Sequence, residues 1–230
     1  MIISINQPGY LPWAGYFNRI ARSDVHVVLD HVQFEKNSFV NRNKVLGPSG
    51  PFWLTVPVRT KGKFGSLPIC EIEIDASQHW QRKHLQSIRS AYGRAPYFGD
   101  YWPIIEKAVS SDNSRLSALC GDLTGRLLQA LDIETKVCRS SNFDFQQAKS
   151  DLVLEICRHF DATRYLSGPF GRDYLDLQSF EDAGVAVEFN DYTAAPYAQQ
   201  SSEFVPNLSV LDLLFNEGPS AAAYVQDGVE

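Results

Sequence analysis

Two side chains that could take part in acid–base chemistry stand directly after a short apolar run. Asp30 and His31 follow the run from His26 to Leu29. An imidazole titrates near neutral pH, so His31 could act as a general base and Asp30 could orient its ring. Asp30 could equally be a metal ligand or an ordinary loop residue. We interpret Asp30 and His31 as the candidate catalytic residues.

An arginine further along the chain is the best candidate anchor for a phosphate or carboxylate group. Arg42 lies in a polar cluster with Asn41 and Asn43, between two hydrophobic stretches. A guanidinium can bind such an anion through two parallel hydrogen bonds, whereas a lysine offers only a point charge. We therefore predict that Arg42 and Asn43 bind substrate. The alternative for Arg42 is a structural salt bridge.

Further candidate binding residues lie in turns and loops. Gln7 could recognise a hydroxyl of a sugar or a nucleotide, or it could satisfy the backbone of its own turn. Ser167 could bind phosphate, but no Gly-x-Ser-x-Gly pattern surrounds it, which argues against a nucleophile. Tyr197 and Gln199 belong to an aromatic and polar loop, which suits either a lid over a ligand or simple packing. Outside the Arg42 cluster, the candidate substrate-binding residues are Gln7, Tyr10, Gln33, Ser167, Gly168, Arg172, Tyr197 and Gln199.

The histidines and cysteines predict neither a metal site nor a particular cofactor. His79 and His84 are five residues apart, about 500° around a helix, so they do not face one ligand. The four cysteines form no Cys-x-x-Cys pair. Because the first residues lack the basic and apolar regions of a secretion signal, we expect reduced thiols in a cytoplasmic protein.

Short apolar runs alternate with segments of helical spacing along the chain. This alternation predicts an α/β fold: a Rossmann-like, doubly wound sheet of five parallel strands in the common order 3-2-1-4-5. A ligand would lie at the carboxyl ends of the first and fourth strands, beside the turns Asn6–Gly9 and Ser167–Pro169. The five predicted strands are Ile2–Ile5, His26–Leu29, Ile133–Val137, Thr163–Leu166 and Val185–Phe189.

The segment after the second strand is less regular. We predict one α/β domain over residues 1–230, with an inserted α+β subdomain at about residues 35–110. Alternating apolar and polar residues predict a half-exposed strand at Ile69–Ile74. Residues 61–65 are typical of a flexible basic loop. The predicted helices cover residues 11–21, 77–92, 116–131, 151–160, 173–183 and, as the last one, 209–215.

Charge and hydrophobicity limit the classes of function. The 230 residues carry a net charge of −6, which argues against a general nucleic-acid-binding protein. No run of eighteen apolar residues occurs, so we predict no membrane-spanning helix. Aromatic residues make up 12% of the chain and gather near the expected crevice and in the insert. Such rings could stack on a sugar or a base, or fill an irregular second layer of the core.

Several distinctive motifs are spread over nearly the whole chain. They are Asn6–Phe17, Ser23-Asp24, Asp30–Phe34, Asn41–Lys44, Trp53–Val58, Tyr165–Gly168 and Phe204–Ser209. Together they resemble the WbqC-like protein family. The resemblance implies an enzyme of bacterial surface-polysaccharide (O-antigen) or specialised-metabolite biosynthesis. It further implies acyl or aminoacyl transfer to the amine of a nucleotide-linked amino sugar, from a donor that could be held on a carrier protein. Many members have a histidine where this chain has Asn6.

A second resemblance covers about half of the chain. The segment Pro8–Tyr16, the pair Gln33-Phe34 and the segment Phe170–Asp173 are similar to motifs of the pantothenate synthetases, in the nucleotidylyl-transferase superfamily. Those enzymes have two histidines where this chain has Trp13 and Tyr16, which argues against adenylylation by ATP. An ATP-dependent ligase and a non-catalytic binding or assembly protein are the two alternative functions.

Overall fold

The structure is a computed structural model that describes residues 1–60, 62, 65 and 67–227. The basic loop expected at residues 61–65 therefore lies mostly outside the described residues. The strands are β1 (Ile2–Asn6), β2 (Val25–Val28), β3 (Arg42–Gly47), β4 (Gly50–Thr55), β5 (Lys136–Arg139), β6 (Arg164–Ser167) and β7 (Ala186–Phe189). The helices are α1 (Ala14–Ala21), α2 (Trp80–Tyr92), α3 (Phe98–Val109), α4 (Leu116–Ala130), α5 (Lys149–His159), α6 (Leu177–Asp182), α7 (Val210–Glu217) and α8 (Ala221–Asp227).

A parallel sheet of five strands forms the centre of the fold, in the order β5-β2-β1-β6-β7. The two other strands, β3 and β4, pair with each other in a separate antiparallel hairpin. Counted among the sheet strands alone, the order along the chain is 3-2-1-4-5. The predicted fold class, a Rossmann-like α/β sheet, is confirmed.

The two faces of this sheet differ in chemistry. On one face, apolar side chains such as Ile3 and Ile5 pack against α5 and α6. On the other face, Ser4 and His26 sit side by side on β1 and β2 and share a hydrogen bond of 2.8 Å. The His26 ring also contacts the ring of Tyr16, at 5.7 Å between centroids, so α1 covers this face. A buried polar patch therefore lies between the sheet and α1.

The first helix begins three residues later than predicted. Leu11 has a left-handed backbone with φ 49°, and Trp13, the residue before α1, is extended. The carbonyl of Pro12 accepts a hydrogen bond of 2.8 Å from the backbone of Val210. Tertiary hydrogen bonds, which helical spacing does not reveal, therefore hold residues 11–13 as a turn.

The prediction of a half-exposed strand at Ile69–Ile74 is wrong. Ile69–Glu71 forms a single 3-10 turn, and Ile69 and Ile72 are both fully buried. Beyond the turn, Ile74 makes only an isolated bridge to Val58. The alternation of apolar residues therefore reflects burial in the insert, with no continuous partner strand among the described residues.

Three helices also differ from the prediction. The helix expected at residues 173–183 is a 3-10 turn, Pro169–Asp173, followed by α6, which is capped by the Asp176 side chain. Helix α3 was not predicted, because it contains Pro103, yet it buries Trp102 and three apolar residues after it. The predicted last helix, residues 209–215, is followed by a further helix, α8, which is connected to α7 by a 3-10 turn at Gly218–Ser220. In α3, tertiary packing therefore outweighs the local effect of Pro103.

The insert between β2 and β5 contains the β3–β4 hairpin and the helices α2 and α3, with α4 leading back to the sheet. The division into one α/β domain and an inserted subdomain stays a prediction. Within the described ranges, no helix is long and apolar enough to cross a membrane.

Candidate functional site

The carboxyl ends of β1 and β6 lie side by side, where the strand order reverses. Asn6 and Gln7 at the end of β1 are half-buried, and their side chains have no hydrogen-bond partner among the described residues. Ser167 ends β6, is 1% exposed, and its hydroxyl donates to the carbonyl of Gly168 at 3.1 Å. The structure thus brings Gln7, Ser167 and Gly168 to one edge of the sheet, and we call this edge between β1 and β6 the crevice.

Arg19, which was not singled out in the sequence, reaches the crevice from α1. The whole Arg19 residue is 8% exposed, and its Nε atom is buried without a hydrogen-bond partner among the described residues. A Cβ atom on Gly168 would overlap with Nη1 of Arg19, so the guanidinium lies directly against that glycine. Among the described residues, Arg19 forms no ion pair with a carboxylate and no side-chain hydrogen bond.

The described residues around Arg19 include no carboxylate that compensates its charge. Burial lowers the pKa of the Arg19 guanidinium, and the groups that oppose this effect are the hydroxyls of Tyr165, Tyr16 and Tyr174. Burial, with a further contribution from Arg19, lowers the pKa of His26 to about 3, so this imidazole is neutral at pH 7. Within the described ranges, Arg19 is therefore a buried cation without a counter-ion, which is a costly arrangement in a protein interior.

The predicted catalytic residues lie at the neighbouring end of β2 and meet a serine that was not predicted. Asp30 is fully buried. Its Oδ1 accepts hydrogen bonds from the Ser141 backbone at 3.0 Å and from the Ser140 hydroxyl at 3.3 Å, and its Oδ2 accepts from the Ser141 hydroxyl at 3.1 Å. Ser140 Oγ lies 2.6 Å from Nδ1 of His31. The three side chains form a chain, Asp30–Ser140–His31, which we call the relay.

The relay can hold a proton on Nδ1 of His31. Ser140 Oγ also accepts a hydrogen bond from the backbone N–H of Asp30 at 3.0 Å, while the backbone N–H of His31 is farther away, at 3.4 Å. In the tautomer with the proton on Nδ1, Nδ1 donates to the second lone pair of Ser140 Oγ, and the hydroxyl donates to Asp30, as a Ser-His-Asp site orients its imidazole. Nε2 then carries a lone pair, and no described residue bonds to it. Burial lowers the pKa of His31, while Asp30 and, less, Glu155 raise it. His31 is therefore neutral at pH 7, as a general base must be.

Arg42 and Asn43 lie on the β3–β4 hairpin and are engaged with protein groups. The Arg42 guanidinium stacks on the ring of Trp53, 4.3 Å from its centroid, and donates to the Asn37 side chain at 3.3 Å and to the Asn37 carbonyl. No salt bridge to Arg42 occurs in the described part of the chain. The Asn43 side chain donates to the carbonyl of Leu11 at 2.6 Å, which holds the turn after β1.

Tyr10 and Gln33 also lie away from the crevice. Tyr10 is fully buried in the core of the insert, where its hydroxyl bonds to Nδ1 of His84 at 2.8 Å. The Gln33 side chain accepts a hydrogen bond of 2.8 Å from the Leu67 backbone and donates to the Phe34 carbonyl at 3.0 Å. Tyr10 thus joins the turn after β1 to α2, and Gln33 joins two loops of the insert.

Tyr197 and Gln199 belong to the irregular segment between β7 and α7, residues 190–209. Both side chains donate to one oxygen of the fully buried Asp212, at 2.7 and 2.8 Å. Burial raises the pKa of this carboxyl. The cavity beside Tyr197 has a volume of about 20 Å³, room for a single water. The pair therefore fastens the segment to α7.

Arg172 fastens the other end of the same segment. Its guanidinium forms two hydrogen bonds with the Asp191 carboxylate, at 2.8 and 2.6 Å, and stacks on the Phe189 ring at 4.3 Å. Among the described residues, no group of three or more His, Cys, Asp or Glu side chains is close enough to hold a metal ion.

Fold and geometry define the class as a Rossmann-like α/β protein, with the crevice at the strand-order reversal and the relay at the neighbouring strand end. A comparison of the chain with protein families identifies the WbqC-like protein family over residues 7–224. The chain belongs to this family. It is also similar to the "Uncharacterized protein Rv1507c" of Mycobacterium tuberculosis, with 33% identity over 229 residues, 97% of each chain. No solved structure matches it.

Proposed function

We propose that this protein is a cytoplasmic transferase of bacterial surface-polysaccharide or specialised-metabolite biosynthesis, which transfers an acyl or aminoacyl group to the amine of a nucleotide-linked amino sugar. The observation that carries the proposal is the Asp30–Ser140–His31 relay, because it leaves Nε2 of a neutral imidazole open at the ligand edge of the sheet. Membership of the WbqC-like family supports the biosynthetic setting.

The reaction needs one proton to be removed at the right moment. The amine nitrogen of the acceptor attacks the acyl carbon of the donor, a C–N bond forms, and the bond from that carbon to the donor's leaving sulfur or oxygen breaks. Nε2 of His31 takes the proton from the nitrogen and returns it to the leaving group. The imidazolium formed between these steps donates through Ser140 to Asp30, which stabilises its charge.

The test is an assay for the transfer product. Purified protein is incubated with nucleotide-linked amino sugars and with acyl-thioester or aminoacyl donors, including a donor on a carrier protein, and the products are identified by mass spectrometry. We expect His31→Gln to lower the rate about 10²- to 10⁴-fold, the usual contribution of a general base. Formation of pyrophosphate from ATP in place of a transfer product would identify an ATP-dependent ligase instead.

Ser140, a member of the relay, and its neighbour Ser141 provide a matched pair of variants. Ser140→Ala removes the link between His31 and Asp30, whereas Ser141→Ala removes a hydroxyl that donates to Asp30 but does not contact His31. We expect a large loss of rate for the first and a small one for the second. Equal rates for the two variants would refute the relay, and a protein that makes no product with any donor but is needed for the glycan would be an assembly protein.

A further inference from the structure

The strongest unexplained feature outside the relay is the cation buried in the crevice. We propose that Arg19 is the anchor of an oxyanion site, which binds a phosphoryl or carboxylate group of a ligand over the carboxyl ends of β1 and β6. The inference deepens the proposed function, since a nucleotide-linked sugar carries such a group, but the anion site stands on its own contacts.

The first argument is the missing counter-ion. A guanidinium has five N–H donors and is always charged, and buried charges in proteins are paired. Arg19 is 8% exposed and its Nε is buried without a partner. Only tyrosine hydroxyls, those of Tyr16, Tyr165 and Tyr174, oppose the burial of its charge. An incoming oxyanion would supply both the negative charge and the acceptors that the described residues do not.

The second argument is the direction of the side chain. Nη1 of Arg19 lies where the Cβ atom of any residue other than glycine at position 168 would stand. Gly168 has φ −73° and ψ 166°, which every residue can adopt, so no backbone strain calls for glycine here. What the missing side chain provides is room for the guanidinium at the end of β6.

The third argument is the set of free donors beside it. Asn6 and Gln7 stand at the end of the neighbouring strand β1, half-buried and without partners in the described part of the chain. Their amide groups can donate to the remaining oxygens of an anion held by Arg19. Carboxyl ends of strands at the reversal of strand order are also where open α/β sheets bind ligands.

The experiment measures anion binding without any transfer reaction. Inorganic phosphate, pyrophosphate and acetate are each titrated into the full-length protein by calorimetry, in a buffer free of other oxyanions. We expect saturable binding of at least one anion by the wild type, and a loss of at least tenfold in affinity in Arg19→Gln. Arg22→Gln is the matched control, because Arg22 directly follows the same helix but pairs with Glu188 and Asn190 at the surface. It should bind as the wild type does.

A second variant keeps the arginine and so avoids the question of folding. Gly168→Ala places a methyl group against Nη1, so we expect a folded protein with anion affinity lowered at least tenfold. Phosphate binding without acetate binding would assign a phosphoryl ligand, and the reverse a carboxylate; both support the site. No saturable binding of any of the three anions, or equal affinity in wild type, Arg19→Gln and Gly168→Ala, would overturn it. Anion binding without transfer activity would leave the site standing and refute the proposed function alone.

Discussion

Replacing Arg19 by methionine should make the free protein more stable and make it insensitive to phosphate. Methionine is unbranched and flexible, so it can fill the channel of the arginine stem without a charge. Replacing buried charged groups by apolar ones of similar volume stabilises proteins by up to about 1–4 kcal/mol. Because Arg19 is 8% exposed and has no carboxylate partner among the described residues, it should fall within that range.

The magnitude can be followed as a melting temperature. For a chain of this size, 1 kcal/mol corresponds to a shift of about 2–4 °C, so Arg19→Met should melt about 2–16 °C higher than the wild type in a buffer without phosphate. Phosphate at 100 times its Kd should stabilise the wild type by about 2.7 kcal/mol, a rise of about 5–11 °C. It should leave the variant unchanged. Scanning calorimetry with and without phosphate gives all four values.

The control and the refuting result use the same instrument. Arg22→Met removes an exposed ion pair with Glu188, so we expect a loss of at most about 1 kcal/mol and a phosphate response like that of the wild type. If Arg19→Met melts lower than the wild type and the wild type ignores phosphate, Arg19 is a structural residue, and the reasoning from its missing counter-ion fails.

Three further outcomes follow from the described contacts. In a pH–rate profile of the transfer reaction, Ser140→Ala should shift the fall in rate at acid pH to lower pH, because the relay to Asp30 stabilises protonated His31. An unchanged pH–rate profile would contradict this. The raised pKa of Asp212 makes the free energy of unfolding of the wild type fall as pH rises above about 4, because the folded state holds the proton more tightly than the unfolded state. Asp212→Asn should fold and lose this pH dependence. Urea unfolding of both proteins at several pH values tests this, and identical slopes exclude it. Asn43→Ala removes a buried hydrogen bond to the Leu11 carbonyl and should lower the free energy of unfolding by about 1–3 kcal/mol, measured by urea unfolding. A smaller loss would mean that the turn after β1 is stable without this hydrogen bond.

Most of the sheet could be predicted from the sequence because its strands coincide with short apolar runs followed by turns. β1 and β2 show this most plainly, and their order follows from right-handed crossovers. The exception is β5, Lys136–Arg139, which begins three residues later than the strand predicted at Ile133–Val137. The insert could not be predicted in the same way. Ile69 and Ile72 alternate with polar residues as in a strand, yet both are buried by neighbours far away in the chain. Helix α3 likewise depends on tertiary packing around Pro103.

The same difference holds for the residues of the site: those at strand ends could be predicted, and those that depend on tertiary contacts could not. Asp30 and His31 could be found because they follow a strand, and strand ends meet at one edge. Ser140 directly follows β5, but the strand predicted at Ile133–Val137 ends three residues before it, so the sequence does not mark Ser140 as a strand-end residue. Arg19 lies three residues after Tyr16 and one before Ile20, all on the buried side of α1. A positive charge within an apolar stripe was the signal, and helical spacing alone does not tell whether such a charge has a partner.

The distance between the two halves of the site restricts what a single ligand can be. β2 and β6 flank β1, so the ends of β2 and β6 are separated by two strand spacings, about 10 Å, and His31 stands three residues beyond the end of β2. A ligand anchored by Arg19 must cross the end of β1, past Gln7, before it can offer an amine to Nε2 of His31. The carboxylate and amine of a free amino acid are one carbon apart and cannot do both at once. A sugar ring between phosphate and amine provides the missing length, and in a chain of net charge −6 the anion is attracted only by a local cation such as Arg19.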